Sequence, residues 1–379
     1  MSDSTVPATG RELRSTVTDD GRVTLAMRQF DIAEPGADEV VVRVEAAPIN
    51  PSDLGMLFAM ADLDSAESTG TSDLPAVSAP LSERVLNAQR GRWGKPMPVG
   101  NEGGGTVVAA GSSDTAQALM GKVVGFLSGN AYATDRTVNV ASCLAMNDGT
   151  TPEQAAACFV NPLTALGIVE TMTAEGHTAL VHTVGASNLG QMLNRICLDD
   201  GVGLVNIVRK PEHVDLLRGA GAEHVVDSSA DSFRDDLVTA LRATGATIAF
   251  DAIGGGDLAS SLLSCMEQVA SEGGEFSRYG SDVHKQVYVY GGLDRGPTVL
   301  RRDFGMHWSI GGWLLTPFLG NLGASGAERL RQRVADEITT TFASSYGMKV
   351  TLPEAVAPEF VKRYGRMATG DKALVTPHG

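Results

Sequence analysis

The chain has 379 residues and carries 30 Lys and Arg against 45 Asp and Glu, which gives a formal net charge of −15 at pH 7. Such an acidic surface argues against nucleic-acid phosphates and anionic membranes as partners, and no apolar run reaches the roughly 18 residues of a membrane span. Since 43% of the residues are apolar and the N-terminus lacks a signal-peptide pattern, we expect a cytoplasmic protein of two domains.

The predicted elements begin with short β-strands between residues 12 and 140. The segments RVTLAMR, EVVVRVEAAPIN, GGTVVAAG and KVVGFL alternate apolar and polar residues and are bounded by turn residues, which predicts an antiparallel sheet or partial barrel. Between residues 59 and 98 the pattern lapses. A connection of this length predicts a mobile segment or a functional lid, with a short helix around Leu81–Gln89.

After Thr151 the pattern changes to strands that alternate with helices. The segments ALVHTV, GLVNIV, HVVD, TIAFDAIG and KQVYVYGG are short apolar strands, and helical segments separate them. This alternation predicts a parallel sheet covered on both faces. A further helix, AERLRQRVADEITTTF, precedes a C-terminal tail with two short β-like segments, which we expect to pack on the first domain.

A candidate phosphate-binding loop follows the first of these strands. It reads Gly185-Ala186-Ser187-Asn188-Leu189-Gly190 and leads into a helix, where a Rossmann unit binds a dinucleotide pyrophosphate. The middle glycine of the G-x-G-x-x-G pattern is missing. The position of the loop between a strand and a helix nevertheless favours a dinucleotide site.

Two cations at the end of the second strand indicate which dinucleotide binds. Arg209 and Lys210 follow Gly190 by about 20 residues, the distance at which an NAD-binding unit places a carboxylate for the ribose hydroxyls. A guanidinium can bind a 2′-phosphate that a carboxylate would repel. The sequence therefore predicts NADP(H) as the cofactor.

Four short motifs follow one another along the chain. They are Asn50-Pro51-Ser52-Asp53, Gly100-Asn101-Glu102-Gly103, Asn161-Pro162-Leu163-Thr164-Ala165 and Tyr290-Gly291-Gly292-Leu293. In this order they resemble the medium-chain dehydrogenase/reductases, and within them the zinc-independent branch of quinone oxidoreductases and 2-enoyl thioester reductases. The resemblance covers nearly the whole chain.

The resemblance implies an α/β protein with a GroES-like, β-rich partial barrel domain and a Rossmann domain with a doubly wound parallel sheet. We expect the first domain to comprise residues 1–157 and 342–379, and the second to comprise residues 158–341. The relatives also suggest a homodimer.

The chain departs from the zinc-binding and tyrosine-dependent members of the family. Amides or apolar groups, among them Asn50 and Asn101, stand where zinc alcohol dehydrogenases have their catalytic ligands, and amides are poor zinc ligands. The four cysteines also form no C-x-x-C pair, so we expect no metal. The catalytic tyrosine that enoyl reductases place after N-P-S-D is absent from Leu54–Ala66.

The predicted function is NADPH-dependent reduction of an activated carbon–carbon double bond, in an enoyl thioester, enal or enone. Hydrogen-bond donors suffice to stabilise the enolate that develops. An NADPH quinone reductase and a non-catalytic NADPH-binding regulator are the alternatives. The candidate catalytic residues are Asn50, Thr164 and Tyr290. The candidate cofactor-binding residues are the loop Gly185, Ala186, Ser187, Asn188, Leu189 and Gly190, the cations Arg209 and Lys210, and Ile253, Gly254, Tyr290, Gly291, Gly292 and Leu293.

Overall fold

The computed structural model describes residues 7–379, so the first six residues of the N-terminal sequence used above lie outside the described part. The chain forms two compact units. The first runs to Val160 and resumes at Arg331–Gly379, and the second is Asn161–Leu330. The domain boundaries at 157/158 and 341/342 stay predictions.

The strands in chain order are β1 (Thr9–Val17), β2 (Arg22–Asp31), β3 (Glu39–Pro48), β4 (Glu67–Gly70), β5 (Pro75–Pro80), β6 (Met97–Pro98), β7 (Glu102–Ala110), β8 (Val123–Leu127), β9 (Asp135–Asn139), β10 (Cys143–Ala145), β11 (Ala179–His182), β12 (Gly203–Val208), β13 (His224–Asp227), β14 (Ile248–Asp251), β15 (Gly254–Gly256), β16 (Lys285–Val289), β17 (Asp294–Thr298), β18 (Trp308–Gly312), β19 (Met348–Val350) and β20 (Ala373–Val375).

The α-helices in chain order are α1 (Pro51–Phe58), α2 (Glu83–Ala88), α3 (Asp114–Gln117), α4 (Pro152–Ala155), α5 (Val160–Ala174), α6 (Asn188–Asp200), α7 (Pro211–Gly219), α8 (Phe233–Thr244), α9 (Leu258–Ala270), α10 (Leu315–Glu337) and α11 (Pro358–Gly365). Gly323 has non-helical backbone angles and divides α10 into two pieces.

The first unit is built from two sheets with largely antiparallel pairing. One sheet has the order β4-β5-β2-β1-β6, and the other has the order β10-β8-β7-β3-β20-β19, with β9 also paired to β3. Alternation places Val40, Val42 and Val44 of β3 in the core, where all three are fully buried. The C-terminal tail joins this unit because β20 pairs antiparallel with β3.

The segment 59–98 is more regular than its sequence predicts. It contributes β4 and β5 to the first sheet, and β5 pairs with β2 from Arg22↔Pro80 to Ala26↔Ala76. The predicted short helix is present as α2. The sequence analysis missed these strands, because polar residues and two prolines obscure strands that lie at or near a sheet edge. A lid role for the segment stays a prediction.

The second unit has a parallel six-stranded sheet with the order β13-β12-β11-β14-β16-β18. Helices connect its successive strands from β11 to β16, whereas the connection from β16 to β18 contains β17 and no helix. Its inner strands are buried on both faces, as Leu180 and Val181 of β11 show. The chain order of the strands reverses at β11, which is the switch point where Rossmann sheets bind ligands. The β-rich unit and this sheet confirm the predicted fold class.

No helix within residues 7–379 combines the length and the apolar character that a membrane crossing requires.

Candidate functional site

The carboxyl edge of the parallel sheet brings most of the predicted cofactor residues together. The loop 185–190 follows β11, and Arg209 and Lys210 follow β12. Ile253 and Gly254 follow β14, and the turn 290–293 follows β16. Because β12, β11, β14 and β16 are neighbours and run in parallel, their ends share one edge of the sheet.

The loop after β11 packs its backbone tightly. A Cβ atom added to Gly190 would lie 2.2 Å from the carbonyl oxygen of Gly185, so only glycine fits there. Ser187 stands in place of the missing middle glycine, and its hydroxyl accepts a hydrogen bond from the Gly190 amide at 3.0 Å. Ser187 is therefore the N-cap of α6, which a serine serves better than a glycine.

The residue before this loop has an unusual backbone conformation. Val184 lies in the left-handed region with φ of 53°, where a β-branched residue costs on the order of 1–3 kcal/mol. Its carbonyl accepts a hydrogen bond from the Ser187 amide at 2.9 Å. The Gly185 amide donates to the Ile207 carbonyl at 2.9 Å. These bonds hold the strained turn at the end of β11.

The two cations after β12 are exposed to solvent. Lys210 is the N-cap residue of α7, and its ammonium lies 3.6 Å from Glu212. Arg209 has no ion pair in the described part of the chain. An exposed guanidinium beside a glycine-dependent loop suits a phosphate group.

A buried carboxylate that the sequence analysis missed shapes the neighbouring strand end. Asp251 Oδ1 accepts hydrogen bonds from the Thr183 hydroxyl at 3.0 Å and from the Ile253 amide at 2.9 Å. Its Oδ2 accepts from the Gly254 amide at 3.1 Å. Asp251 thus ties the ends of β11 and β14 together. The sequence feature that could have identified Asp251 is an aspartate directly after the apolar residues of a strand.

The turn 290–293 packs against the end of β14. A Cβ added to Gly291 would lie 2.5 Å from the carbonyl oxygen of Ala252, and the Leu293 amide donates to this same oxygen at 3.2 Å. Gly292 and Leu293 are exposed. The turn therefore presents a small, accessible surface at the carboxyl edge.

The hydroxyl of Tyr290 contacts a buried histidine. His182 Nε2 and Tyr290 Oη are 2.7 Å apart, and the two rings are stacked at a centroid distance of 5.9 Å. Burial lowers the pKa of His182 to about 3 and raises that of Tyr290. Both groups are therefore neutral near pH 7.

The other predicted catalytic residue of the second unit, Thr164, lies in α5 and is 7% exposed. The amide Asn161 in the first turn of that helix is equally buried. The helix begins at the predicted N-P-x-T-A motif.

In the first unit, Asn50 precedes α1 and lies against a buried carboxylate. Its Nδ2 donates to Glu102 Oε1 at 2.8 Å, and Glu102 Oε2 accepts from the amides of Phe159 and Val160 at 2.9 Å each. Burial raises the pKa of Glu102. Glu102 thus orients the predicted catalytic amide. It forms no ion pair within 4 Å in the described residues.

Asp53 binds the two motifs of the first unit to each other. Its carboxylate accepts from the backbone amides of Asn50 and Asn101, both at 2.8 Å, as expected for the residue that fixes the N-P-S-D turn. Burial raises its pKa to about 7. The hydroxyl of the buried Tyr132 donates to the Pro48 carbonyl at 3.0 Å.

Metal-ligating side chains do not cluster in the part of the chain that the structure describes. Among residues 7–379, no three or more His, Cys, Asp or Glu side chains are grouped so that they could hold a metal ion.

Comparisons with known proteins show what the chain is similar to. No family model matches it. It is 27% identical over 208 residues to mitochondrial enoyl-[acyl-carrier-protein] reductase of Xenopus tropicalis, covering 53% of this chain and 51% of that protein. It is 28% identical over 185 residues to the synaptic vesicle membrane protein VAT-1 homolog of Rattus norvegicus, covering 47% and 45%. The chain thus spans about half the length of the curated relatives it matches.

A solved structure matches over the full length. The crystal structure of a protein described as an NADPH:quinone reductase from Mesorhizobium loti has a TM-score of 0.73 and 25% identity, covering 98% of this chain and 100% of that chain. These relatives confirm the resemblance to the quinone oxidoreductase and 2-enoyl thioester reductase branch.

Proposed function

We propose that this relative of the zinc-independent medium-chain dehydrogenase/reductases is an NADP(H)-dependent oxidoreductase that reduces an activated carbon–carbon double bond in a small molecule. The observation that carries the proposal is the common edge of the parallel sheet, where the glycine-dependent loop 185–190 and the exposed cation Arg209 end neighbouring strands.

The residues at this edge fit NADP(H). The close approach of Gly190 to Gly185 lets the loop turn tightly into α6, and helix N-termini favour phosphate groups. Arg209 and Lys210 would hold the 2′-phosphate. Ile253, Gly254 and the turn 290–293 would border the rest of the dinucleotide, since they end the adjacent strands.

When bound, the cofactor supplies a hydride. The hydride forms a C–H bond at the β carbon of the substrate, and the π electrons move to the α carbon and the carbonyl oxygen. A proton, from solvent or from a hydroxyl group, then forms the second C–H bond at the α carbon. The protein must donate hydrogen bonds to the developing enolate, and we assign this role to Asn50, Thr164 and Tyr290.

The side-chain amides of Asn50 and Asn101 in the first unit support a reaction without a Lewis acid. Asn50 donates to Glu102, and Asn101 donates its backbone amide to Asp53. Neither side chain is a thiolate or imidazole of the kind that zinc prefers. Reduction of a conjugated double bond needs no metal-bound alkoxide, which distinguishes it from alcohol oxidation.

A quinone reductase is the second candidate. Two observations favour it: one full-length structural match is to a protein described as an NADPH:quinone reductase, and the segment Leu54–Ala66 holds no tyrosine to serve as a proton donor. The homodimer and the cytoplasmic location remain our predictions.

The test is NADPH consumption, followed at fixed enzyme concentration against an enoyl thioester, an enal, an enone and a quinone. The proposal expects turnover with at least one conjugated alkene. Turnover with the quinone alone would favour the second candidate. Tight NADPH binding without consumption in any reaction would refute both and leave a non-catalytic NADPH-binding regulator.

A further inference from the structure

The surroundings of His182 limit where the protons of the His182–Tyr290 pair can lie. His182 is completely buried at the end of β11, and its Nε2 lies 2.7 Å from Tyr290 Oη. The other ring nitrogen, Nδ1, is buried and has no hydrogen-bond partner among the described residues. A neutral imidazole has one N–H and one bare nitrogen, so one of two arrangements must hold.

In the first arrangement the proton is on Nδ1, and Tyr290 donates to Nε2. This leaves an N–H group in the interior without an acceptor, which is the rarer kind of unsatisfied buried group. In the second arrangement the proton is on Nε2, which donates to Tyr290 Oη. Only a bare nitrogen is then left unpaired inside the protein.

The second arrangement leaves the hydroxyl proton of Tyr290 without an acceptor inside the unit. The nearest buried carboxylate, Asp251, already accepts from the Thr183 hydroxyl and from the amides of Ile253 and Gly254. Tyr290 begins the turn 290–293, whose Gly292 and Leu293 are exposed. A ligand bound at the carboxyl edge would supply the acceptor that the second arrangement lacks.

We propose that His182 is a positioning residue, which donates through Nε2 to Tyr290 Oη and so directs the tyrosine proton to a carbonyl oxygen bound at this edge. The carbonyl belongs either to the conjugated substrate or to the cofactor carboxamide. A buried imidazole that stays neutral suits this role, because it supplies a fixed donor without adding charge. The inference rests on the proposed function for the identity of the ligand, but not for the protonation of the pair.

The first test needs no turnover. In protein labelled with ¹⁵N-histidine, two-bond ¹H–¹⁵N spectra distinguish the tautomers, and loss of a signal in His182→Gln assigns the residue. We expect a neutral imidazole protonated on Nε2 between pH 5 and 8. A proton on Nδ1, or an imidazolium within this range, would overturn the proposal even if the enzyme proves active.

The second test uses variants. His182→Phe keeps the ring but removes the donor, whereas His182→Gln places an amide N–H the same number of bonds from Cβ. We expect His182→Phe to lower kcat about tenfold and His182→Gln to recover most of this loss. The double variant His182→Phe/Tyr290→Phe should be no slower than Tyr290→Phe alone. His177→Phe is the matched control, since His177 contacts Thr247 at the start of β14, and should keep its kcat.

The two sources of the carbonyl give different results. If it belongs to the substrate, Tyr290→Phe lowers kcat and leaves the NADPH dissociation constant unchanged. If it belongs to the cofactor, Tyr290→Phe raises that constant about tenfold. Equal losses in the Phe and Gln variants, or independent losses from His182 and Tyr290, would contradict the positioning role. If the wild-type protein fails to consume NADPH with every acceptor tested, the proposed function is refuted. The tautomer measurement still decides this inference in that case.

Discussion

The side-chain amide of Asn50 donates a hydrogen bond to Glu102 over 2.8 Å, in the interior of the first unit. The same carboxylate accepts from the backbone amides of Phe159 and Val160. One buried carboxylate therefore serves three donors from two separate segments. The arrangement explains how the predicted catalytic amide keeps its orientation.

We predict that Glu102→Gln destabilises the protein by about 1–3 kcal/mol, because a neutral amide replaces one acceptor oxygen with a donor and leaves buried N–H groups unsatisfied. Urea unfolding measures this change. Glu153→Gln is the matched control: its ion pair with Lys349 is exposed, and its loss should cost less than about 1 kcal/mol. Equal effects of the two substitutions would contradict the structural role of Glu102.

The stability of the wild-type protein should depend on the protonation of Asp53. Burial raises the folded-state pKa of Asp53 from the ordinary value of 3.8 to about 7. The folded state therefore retains a proton that the unfolded state loses. The contribution of Asp53 to the free energy of unfolding falls as the pH rises from about 4 to 7. In Asp53→Asn this fall should be absent. The free energy of unfolding, measured at several pH values for both proteins, tests the prediction, and parallel curves would rule it out.

The sequence was sufficient for much of the second unit. Short apolar strands, helices between them and a glycine-containing loop predicted the parallel sheet and the place of its carboxyl edge. These features are local, and the period of the apolar residues reports them directly. The positions of the loop 185–190 and of Arg209 at the ends of two strands could therefore be predicted without knowledge of their neighbours in the fold.

Long-range contacts escaped the sequence analysis. His182 meets Tyr290, and Asp251 meets Thr183, across separations of 108 and 68 residues. No local pattern marks such pairs. The strands β4 and β5 were missed for a related reason, because their stability depends on pairing with β2 and not on their own composition.

We predict that Gly190→Ala weakens NADPH binding at least about tenfold, since the added Cβ would lie 2.2 Å from a backbone oxygen and must displace the loop. Cofactor fluorescence titration measures the dissociation constant. Gly219→Ala is the control, because nothing lies within 4 Å of its added Cβ. A Gly190→Ala protein with normal affinity would show that the loop does not bind the cofactor.

We predict that Arg209→Glu raises the dissociation constant of NADPH at least about tenfold more than that of NADH, because a carboxylate repels the 2′-phosphate. The two constants are measured side by side at one ionic strength. Arg218→Glu, an exposed change at the far end of α7, should leave their ratio unaltered. Equal losses for both cofactors in Arg209→Glu would refute the assignment.

The transfer of deuterium from NADPH labelled at both C4 positions into an α,β-unsaturated thioester tests the proposed reaction most directly. Mass spectrometry of the product should show a saturated thioester with one deuterium at the β carbon, and none when the enzyme is omitted. If the thioester, an enal and an enone are all recovered unchanged while a quinone is reduced under the same conditions, the protein is not a double-bond reductase.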